Sequence, residues 1–308
     1  MSQISVETVT SSAILGEGPH WDSTENVLYY VDIIGKEVRK YDPATKRETI
    51  AKLDGDSVSF IIPVEGKHNE FLIGHGHHVC LMTWDGESDK PQKIEKLVAV
   101  DEEDYNATNS LNDGKADASG RLWAGTLGDF DSFSKGPKGS LYSFPKIRNA
   151  SKHVREITCS NGLAWSRDNK VFYYIDTWTH KVDAFDFDIK NGVISNRRTV
   201  FDFSANGIKG LPDGMTIDTN DKLWVACFSG SQVIQIDPEN GKVLRSIPIP
   251  SPQVTSVAFG GRNLDELYVT SGAMNMTPED KAKYPLAGCT YLIKGIDAKG
   301  LPMNSVKL

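Results

Sequence analysis

A strand pattern recurs along the whole chain of 308 residues, at intervals of roughly 40–50 residues. Each copy starts with two bulky apolar residues, and a second run of alternating apolar and polar residues follows it. Alternation with a period of two is typical of a half-buried β-strand. A polar turn precedes most copies. The six copies begin at Leu28, Phe71, Leu122, Phe172, Leu223 and Leu267.

Six repeats of this length, each with three or four strands, predict an all-β fold, namely a six-bladed β-propeller. The 27 glycines suit many short strands joined by tight turns. We expect residues 1–308 to form a single domain, in which residues 2–10 supply a strand that closes the last blade. Residues 277–283 are the most helix-like stretch, but they are few and polar, and we expect no more than a turn there.

The chain has a formal net charge of −7 and an isoelectric point near 5.5. Nucleic acids and anionic membranes both require a positive face, so we expect neither as a partner. No apolar run approaches the ~20 residues of a membrane-spanning helix, and no basic start followed by an apolar run marks the N-terminus. The four cysteines lie far apart, in or beside apolar runs, as buried thiols in a reducing compartment do. We expect a cytoplasmic monomer that acts on a small molecule.

Four oxygen-bearing side chains stand at nearly the same distance before four of the strand markers. Each lies ten or eleven residues ahead of its marker. Because the first strand of each propeller blade lines the central channel, equivalent positions of different blades face one another around the axis. In the other two repeats the same offset falls near Phe60 and at Ser256. The four residues are Glu17, Asn112, Asn161 and Asp213.

Two carboxylates and two carboxamides offer only oxygen atoms to a metal. Such a set favours a hard divalent cation, Ca²⁺ first, with Mg²⁺, Mn²⁺ or Zn²⁺ as alternatives. Ca²⁺ usually takes about 6–8 oxygens, so water or substrate would complete the shell and leave an open position. Each residue alone also fits a turn sequence, such as Asn161-Gly162 or Pro212-Asp213-Gly214, and a plain turn former is the alternative interpretation.

Several stretches of the sequence together identify a family resemblance. They are GEGPHW at 16–21, LNDGKAD at 111–117, NGLAWS at 161–166, YYID at 173–176, PDGM at 212–215 and residues 254–271. These stretches resemble the gluconolactonase, regucalcin (senescence marker protein) and luciferin-regenerating enzyme family, with the insect luciferin-regenerating enzymes and regucalcins nearest. They cover nearly the full length in the same order. The resemblance implies a six-bladed propeller with one divalent metal at the channel mouth.

The same resemblance implies roles for individual residues. Glu17, Asn161 and Asp213 correspond to direct metal ligands, and Asn112 to a ligand or a substrate contact in the same shell. Asp213 would also be the general base for the attacking water, and Asp113 would orient a loop or the substrate.

One position departs from the family pattern. Members that handle sugar lactones carry an arginine two residues before the Asn of the Asn-Asp-Gly-Lys motif, and here that substrate-binding position is Ser110. Serine is too short to replace the directed hydrogen bonds of a guanidinium. The metal chemistry is therefore implied, whereas a preference for a sugar acid lactone is not.

These observations lead to the hypothesis of metal-assisted hydrolysis of a lactone or related small cyclic ester. The cation would polarise the carbonyl, and a carboxylate would deprotonate water. Two alternatives stay open: an activity of the luciferin-regenerating type on oxyluciferin, and a non-enzymatic calcium-binding regulatory protein like regucalcin. Substrate choice is expected to lie in the loops at residues 101–110, 130–138 and 273–286.

The histidines are weaker candidates for chemistry. His75, His77 and His78 have a period-two spacing on a predicted strand edge, and we interpret them as a solvated surface. His20 follows Glu17 closely, and we interpret it as a packed turn residue, with support of the metal ligand as the alternative.

Overall fold

The chain begins with β1 (Ser5–Thr8) and then folds into successive groups of four antiparallel strands. The computed structural model describes residues 3–103, 108–128 and 138–308. In the first four groups the strands pair in chain order, and each group is a separate sheet. These groups are β2 (Gly16–Asp22), β3 (Val27–Asp32), β4 (Glu37–Asp42), β5 (Arg47–Lys52); β6 (Val58–Pro63), β7 (Glu70–His75), β8 (His78–Thr83), β9 (Lys93–Ala99); β10 (Ser110–Ala116), β11 (Leu122–Leu127), β12 (Gly139–Lys146), β13 (Asn149–Ile157); and β14 (Ser160–Trp165), β15 (Val171–Asp176), β16 (Lys181–Asp188), β17 (Val193–Asp202).

The remaining strands form one sheet of eight. Its halves are β18 (Leu211–Ile217), β19 (Leu223–Phe228), β20 (Gln232–Asp237), β21 (Lys242–Pro248), and β22 (Gln253–Gly260), β23 (Glu266–Gly272), β24 (Tyr291–Lys294) with β1. A single pair, Phe228 with Gln253, joins the two halves. The N-terminal β1 lies antiparallel beside β24, where Ser5 is opposite Lys294.

The described residues thus form an all-β, propeller-like fold, as predicted. They contain five hydrogen-bonded sheets and not six separate ones, because the Phe228–Gln253 pair joins the last two groups. Each of the six apolar markers starts or nearly starts the second strand of a group, and all six are buried.

The first strands of the groups line the centre of the fold. β2, β6, β10, β14, β18 and β22 contact one another in this order, and β22 contacts β2 again, so they close a ring. The apolar cores fill the spaces between neighbouring groups. For example, Val31 and Val38 of the first group pack with Val58 and Ile73 of the second. Burial of this apolar surface fixes the angular position of each group, and with it the start of each first strand.

The ends of the first strands lead into the polar turns noted in the sequence. Two of these turns are closed by a buried aspartate, Asp117 or Asp218. Asp117 accepts hydrogen bonds from the backbone N–H of Ser119 and the indole N–H of Trp123, both at 2.9 Å. Asp218 accepts from the backbone of Asn220 and Lys222, from the Trp224 indole and from the Gln235 amide, at 2.9–3.0 Å.

The C-terminal segment crosses this same end of the channel. Gly300 forms a bridge with Asp218, Val306 forms a parallel bridge with Val64, and the backbone N–H of Lys307 donates to the carbonyl of Gly120 at 2.9 Å. The C-terminal segment therefore lies opposite the end at which the first strands begin.

Residues 277–283, expected to form a turn, contain a short helix, α1 (Pro278–Lys283). A capping box makes this helix possible: the Thr277 hydroxyl accepts from the Asp280 backbone N–H, and the Asp280 carboxylate accepts from the Thr277 backbone N–H. α1 is the only α-helix in the described ranges, and it is far too short and polar to cross a bilayer.

Candidate metal centre

Strand register places the four oxygen-bearing side chains at equivalent positions. In each group, the residue just before the oxygen-bearing one pairs with the same position of the second strand. That position is the fifth residue when the apolar marker is counted as the first. The pairs are Gly16 with Asp32, Leu111 with Thr126, Ser160 with Asp176 and Pro212 with Cys227. The residues that follow are Glu17, Asn112, Asn161 and Asp213. They therefore share one level, near the start of the innermost strands.

All four residues lie inside strands, so the interpretation of them as turn formers is wrong. At this level the pairing register shifts in each strand, for example between Glu17 and His20 and between Pro212 and Met215. Such β-bulges bend a strand and re-aim its side chains. The turn-like sequences arise from these bulges.

The glycines beside the ring residues are required by close approach of the neighbouring strand. A Cβ on Gly162 would lie 2.8 Å from the carbonyl oxygen of Asp213, and one on Gly214 would lie 1.9 Å from the Ser256 hydroxyl oxygen. The absence of side chains at these two positions lets the first strands pack closely enough for their polar residues to meet.

The other two groups contribute Ser59 and Thr255 at this level, one residue before the predicted positions near Phe60 and at Ser256. Val58 pairs with His75 and Val254 with Ser271, which fixes the register. The Thr255 hydroxyl donates to the carbonyl of Gly16 at 2.6 Å. The buried Ser59 hydroxyl has no hydrogen-bond partner among the described residues.

Three buried carboxylates share the electrostatics of this site. Burial, followed by the nearby Asp113 charge, raises the pKa of Glu17 to about 8. Burial and the charges of Glu17 and Asp113 raise the pKa of Asp213 well above its usual range. The pKa of Asp113 is also raised by burial, and the Lys115 ammonium partly opposes that rise. The mutual effects show that the first strands bring Glu17, Asp113 and Asp213 close together.

The two carboxamides are in direct contact. Asn112 Nδ2 donates to Asn161 Oδ1 at 3.1 Å and to the Ser160 carbonyl at 2.8 Å. Asn161 Nδ2 donates to the Thr177 hydroxyl at 2.8 Å. Since both amide nitrogens are engaged by protein acceptors, the amide oxygens are the atoms left for a ligand, and Asn112 Oδ1 accepts no hydrogen bond from the described residues.

This donor set fits a hard divalent cation. Carboxylates that lie close together have raised pKa values when no cation is present to balance their charge. The hydrogen-bonded amides add neutral oxygens, which Ca²⁺ also accepts as ligands. No three His, Cys, Asp or Glu side chains in the described ranges form a metal-binding group, so a cation here would depend on Asn112 and Asn161 as well.

Cys159 is a residue of the site that the sequence did not reveal. It is partly exposed, whereas Cys80, Cys227 and Cys289 are buried; all four are free thiols. Its Sγ lies 3.5 Å from Asn161 Nδ2. Burial and the charges of Asp213, Asp176 and Glu17 raise its thiol pKa. Its place two residues before Asn161 was the available signal.

The expected substrate positions lie at the same end. Ser110 starts β10 and is partly exposed. Parts of the loops that were expected to choose the substrate, residues 104–107 and 130–137, lie outside the described residues.

The histidine interpretations need correction. His75 is buried and not a solvated surface residue, and neither ring nitrogen has a partner among the described residues, while His77 and His78 are partly exposed. His20 lies in β2 and not in a turn, and burial lowers its pKa to about 4, which keeps the imidazole neutral.

A family model described as "SMP-30/Gluconolactonase/LRE-like region" matches residues 15–273. The chain belongs to this family. It is 38% identical to regucalcin of Danio rerio over 307 residues, which cover 99% of each chain, and 38% identical to regucalcin of Homo sapiens, with 98% of each covered. The resemblance inferred from the motifs is confirmed.

Solved structures of SMP-30/gluconolactonase/LRE-like relatives share the fold. A luciferin-regenerating enzyme superposes with a TM-score of 0.93 at 41% identity, over 99% of this chain and 100% of the other. A regucalcin from Agrobacterium tumefaciens, named a calcium-binding protein, superposes with a TM-score of 0.86 at 23% identity, over 98% of this chain and 97% of the other.

Proposed function

We propose that this chain is a divalent-cation-dependent hydrolase of a lactone or related small cyclic ester, with Ca²⁺ as the preferred cation. The observation that supports this most is the ring position shared by Glu17, Asn112, Asn161 and Asp213 in four different innermost strands. Membership of a family that includes gluconolactonases supports the reaction class.

The proposal includes the architecture around the site. The two halves of the eight-stranded sheet are proposed to act as separate blades, which gives six blades in one domain of residues 1–308. The ring of six contacting first strands supports this count. We also propose a cytoplasmic monomer, which light scattering after size exclusion and cell fractionation would test.

Glu17, Asn161, Asp213 and Asn112 would hold the cation, which supplies Lewis-acid polarisation of the ester carbonyl. Asp213 takes a proton from a water molecule while the water oxygen attacks the carbonyl carbon. Collapse of the tetrahedral intermediate breaks the ring C–O bond, and the released alkoxide receives the proton that Asp213 had taken, which yields the hydroxy acid. In the cation-free protein, burial and the neighbouring carboxylates raise the pKa of Asp213.

Asn112, Ser110 and Asp113 are the proposed substrate contacts. Asn112 Oδ1 accepts from no described residue and can therefore accept from a substrate, and the Ser110 hydroxyl can donate or accept. Neither Asn112 nor Ser110 supplies a guanidinium, the charged and planar donor that can bind several sugar hydroxyls together.

A panel of small lactones tests the proposal, with product acid followed by a pH indicator. Hydrolysis is expected to depend on Ca²⁺, to stop on addition of a chelator and to return with added cation. A chelator that lowers stability while no ester is hydrolysed would instead favour the non-enzymatic calcium-binding alternative.

A luciferin-regenerating activity is the second candidate. The 41% identity to a luciferin-regenerating enzyme and the serine at position 110 favour it. Loss of oxyluciferin, followed by its fluorescence in the presence of cation, is the direct assay. No loss of oxyluciferin under conditions in which lactones are cleaved would exclude this candidate.

A further inference from the structure

Trp178 is exposed, in contrast to the other tryptophans of the chain. It is 50% exposed, whereas no other tryptophan exceeds 7%. All six tryptophans lie in the described ranges. An indole is the largest apolar side chain, and tryptophans on surfaces concentrate where a partner or ligand binds.

The position of Trp178 connects it with the proposed metal centre. It is the middle residue of a 3₁₀ turn, Thr177–Thr179, that follows β15. The hydroxyl of the preceding Thr177 accepts from Asn161 Nδ2 at 2.8 Å, and the Thr177 backbone N–H donates to the carbonyl of Cys159 at 3.0 Å. Trp178 is thus adjacent in the chain to a residue in direct contact with a ring residue.

The turn holds its backbone in one conformation. The Thr179 hydroxyl donates to the carbonyl of Asp176 at 2.7 Å, and the His180 backbone N–H donates to the carbonyl of Thr177 at 3.1 Å. A fixed turn backbone reduces the entropy that is lost when its residues bind a ligand.

Other exposed apolar residues occur at the same end of the channel. Ile14 lies directly before the start of β2, where its backbone N–H donates to Asp32 at 2.7 Å, and Ile34 follows β3. Both are more than 40% exposed. They add exposed apolar surface to the end of the channel that holds the ring of polar side chains.

We propose that Trp178 determines substrate specificity, because its indole packs against a flat apolar part of the substrate. This rests on the proposed function, and it narrows the substrate class to lactones that carry an aromatic ring, in preference to polyhydroxylated sugar lactones. Aromatic stacking contributes favourable energy beyond the apolar area that it buries.

The kinetic test compares Trp178→Ala and Trp178→Phe with wild type on dihydrocoumarin and on glucono-1,5-lactone. Val193→Ala is the matched control, because Val193 is equally exposed but lies on the outer strand β17.

For Trp178→Ala we expect KM for dihydrocoumarin to rise about tenfold with a smaller change in kcat, and Trp178→Phe to recover most of the loss. For glucono-1,5-lactone, KM and kcat of both Trp178 variants should stay within about twofold of the wild-type values. Equal effects on both lactones, or none on either, would overturn the proposal while leaving lactone hydrolysis intact.

A binding test needs no turnover. Because the other tryptophans are buried, acrylamide should quench mainly the fluorescence of Trp178, and Trp178→Phe should lose this quenchable part. The lactam analogue of dihydrocoumarin, which is not hydrolysed, should protect Trp178 from acrylamide in the cation-loaded protein. Protection without hydrolysis of any lactone would support the binding role and reject the proposed reaction. Unchanged quenching at saturating lactam would reject the role of Trp178.

Discussion

Asp117 and Asp218 at one end of the channel and Glu17 and Asp213 at the other are all buried, but they differ in how many hydrogen bonds satisfy them. At the end crossed by the C-terminal segment, Asp117 and Asp218 each accept several hydrogen bonds from turn backbone and from an indole. At the other end, Glu17 accepts only from the backbone N–H of Gly18, at 2.8 Å, among the described residues. Buried carboxylates need partners. The saturated acids are structural, and the unsaturated ones have capacity for a ligand.

The pKa values reflect the same difference. Burial and mutual repulsion raise the pKa of Glu17 and of Asp213. The acids of the polar turns are instead surrounded by hydrogen-bond donors, such as the Trp224 indole at Asp218. A cluster of like charges destabilises the fold when it is ionised, so proteins retain one where it serves function. The contrast therefore predicts that substitutions at the two ends have opposite consequences.

The largest effect is expected for Asp213→Asn. Removal of the proposed base should lower kcat by about 10³-fold, because general base catalysis contributes 10²–10⁴-fold. The unfolding free energy should not fall, since a repelling charge is removed. Lactone hydrolysis and urea unfolding measure the two quantities. Asp186→Asn, at an exposed acid of β16, is the control and should change neither. Full activity in Asp213→Asn would remove this residue from the mechanism.

At the opposite end, Asp218→Ala should act on stability and not on chemistry. It leaves the Trp224 indole and the Gln235 amide without their acceptor, and we expect a loss of about 3 kcal/mol in unfolding free energy. Urea denaturation measures this loss, and kcat of the remaining folded enzyme should stay near that of wild type. A drop in kcat as large as that of Asp213→Asn would break the division between the two ends.

Cation binding should stabilise the protein through the ring residues. At a Ca²⁺ concentration 100 times Kd, the unfolding free energy should rise by about 2.7 kcal/mol. The rise should be much smaller in Glu17→Gln and unchanged in Glu239→Gln, which alters an exposed acid between β20 and β21. Thermal or urea unfolding with and without Ca²⁺ provides the comparison. An equal rise in all three proteins would place the cation elsewhere.

The smallest effect, taken per pH unit, is a pH dependence of the cation-free protein. The pKa of Glu17 is about 8 in the folded state, above its usual value of 4.5, so the folded state retains a proton that the unfolded state has lost. Stability should therefore fall as pH rises from about 5 to 8, by up to about 1 kcal/mol per pH unit from this group. Glu17→Gln should flatten the profile, and saturating Ca²⁺ should flatten it too. Stability that rises over this range in the wild type, relative to Glu17→Gln, would contradict the assignment.

The sequence predicted the ring positions because the repeats share one register. Glu17, Asn112, Asn161 and Asp213 could be aligned by counting back from buried strand markers, since hairpins of similar length separate them. In the other two groups, the same count pointed to positions near Phe60 and at Ser256, one residue after Ser59 and Thr255, which stand at this level. A β-bulge inserts or removes a residue without any change in the alternating pattern, so strand pairing alone decides such positions.

Other errors have related causes. His75 was expected at the surface because its neighbours alternate, yet it is buried. Residues 277–283 form α1 because a capping box stabilises a helix too short for a periodic pattern. Cys159 and Trp178 were not predicted, because the contacts of Asn161 connect them with the site.

The amino-acid sequence by itself determined the strand repeat, the family and the oxygen-only chemistry of four side chains, because these depend on local patterns and residue types. Only the tertiary structure decided that those side chains share one level with Asp113, that their acids repel one another, and that the exposed Trp178 follows a residue bonded to Asn161. Such relations join residues as far apart as Glu17 and Asp213, and only the packing of one group of strands against the next brings them together.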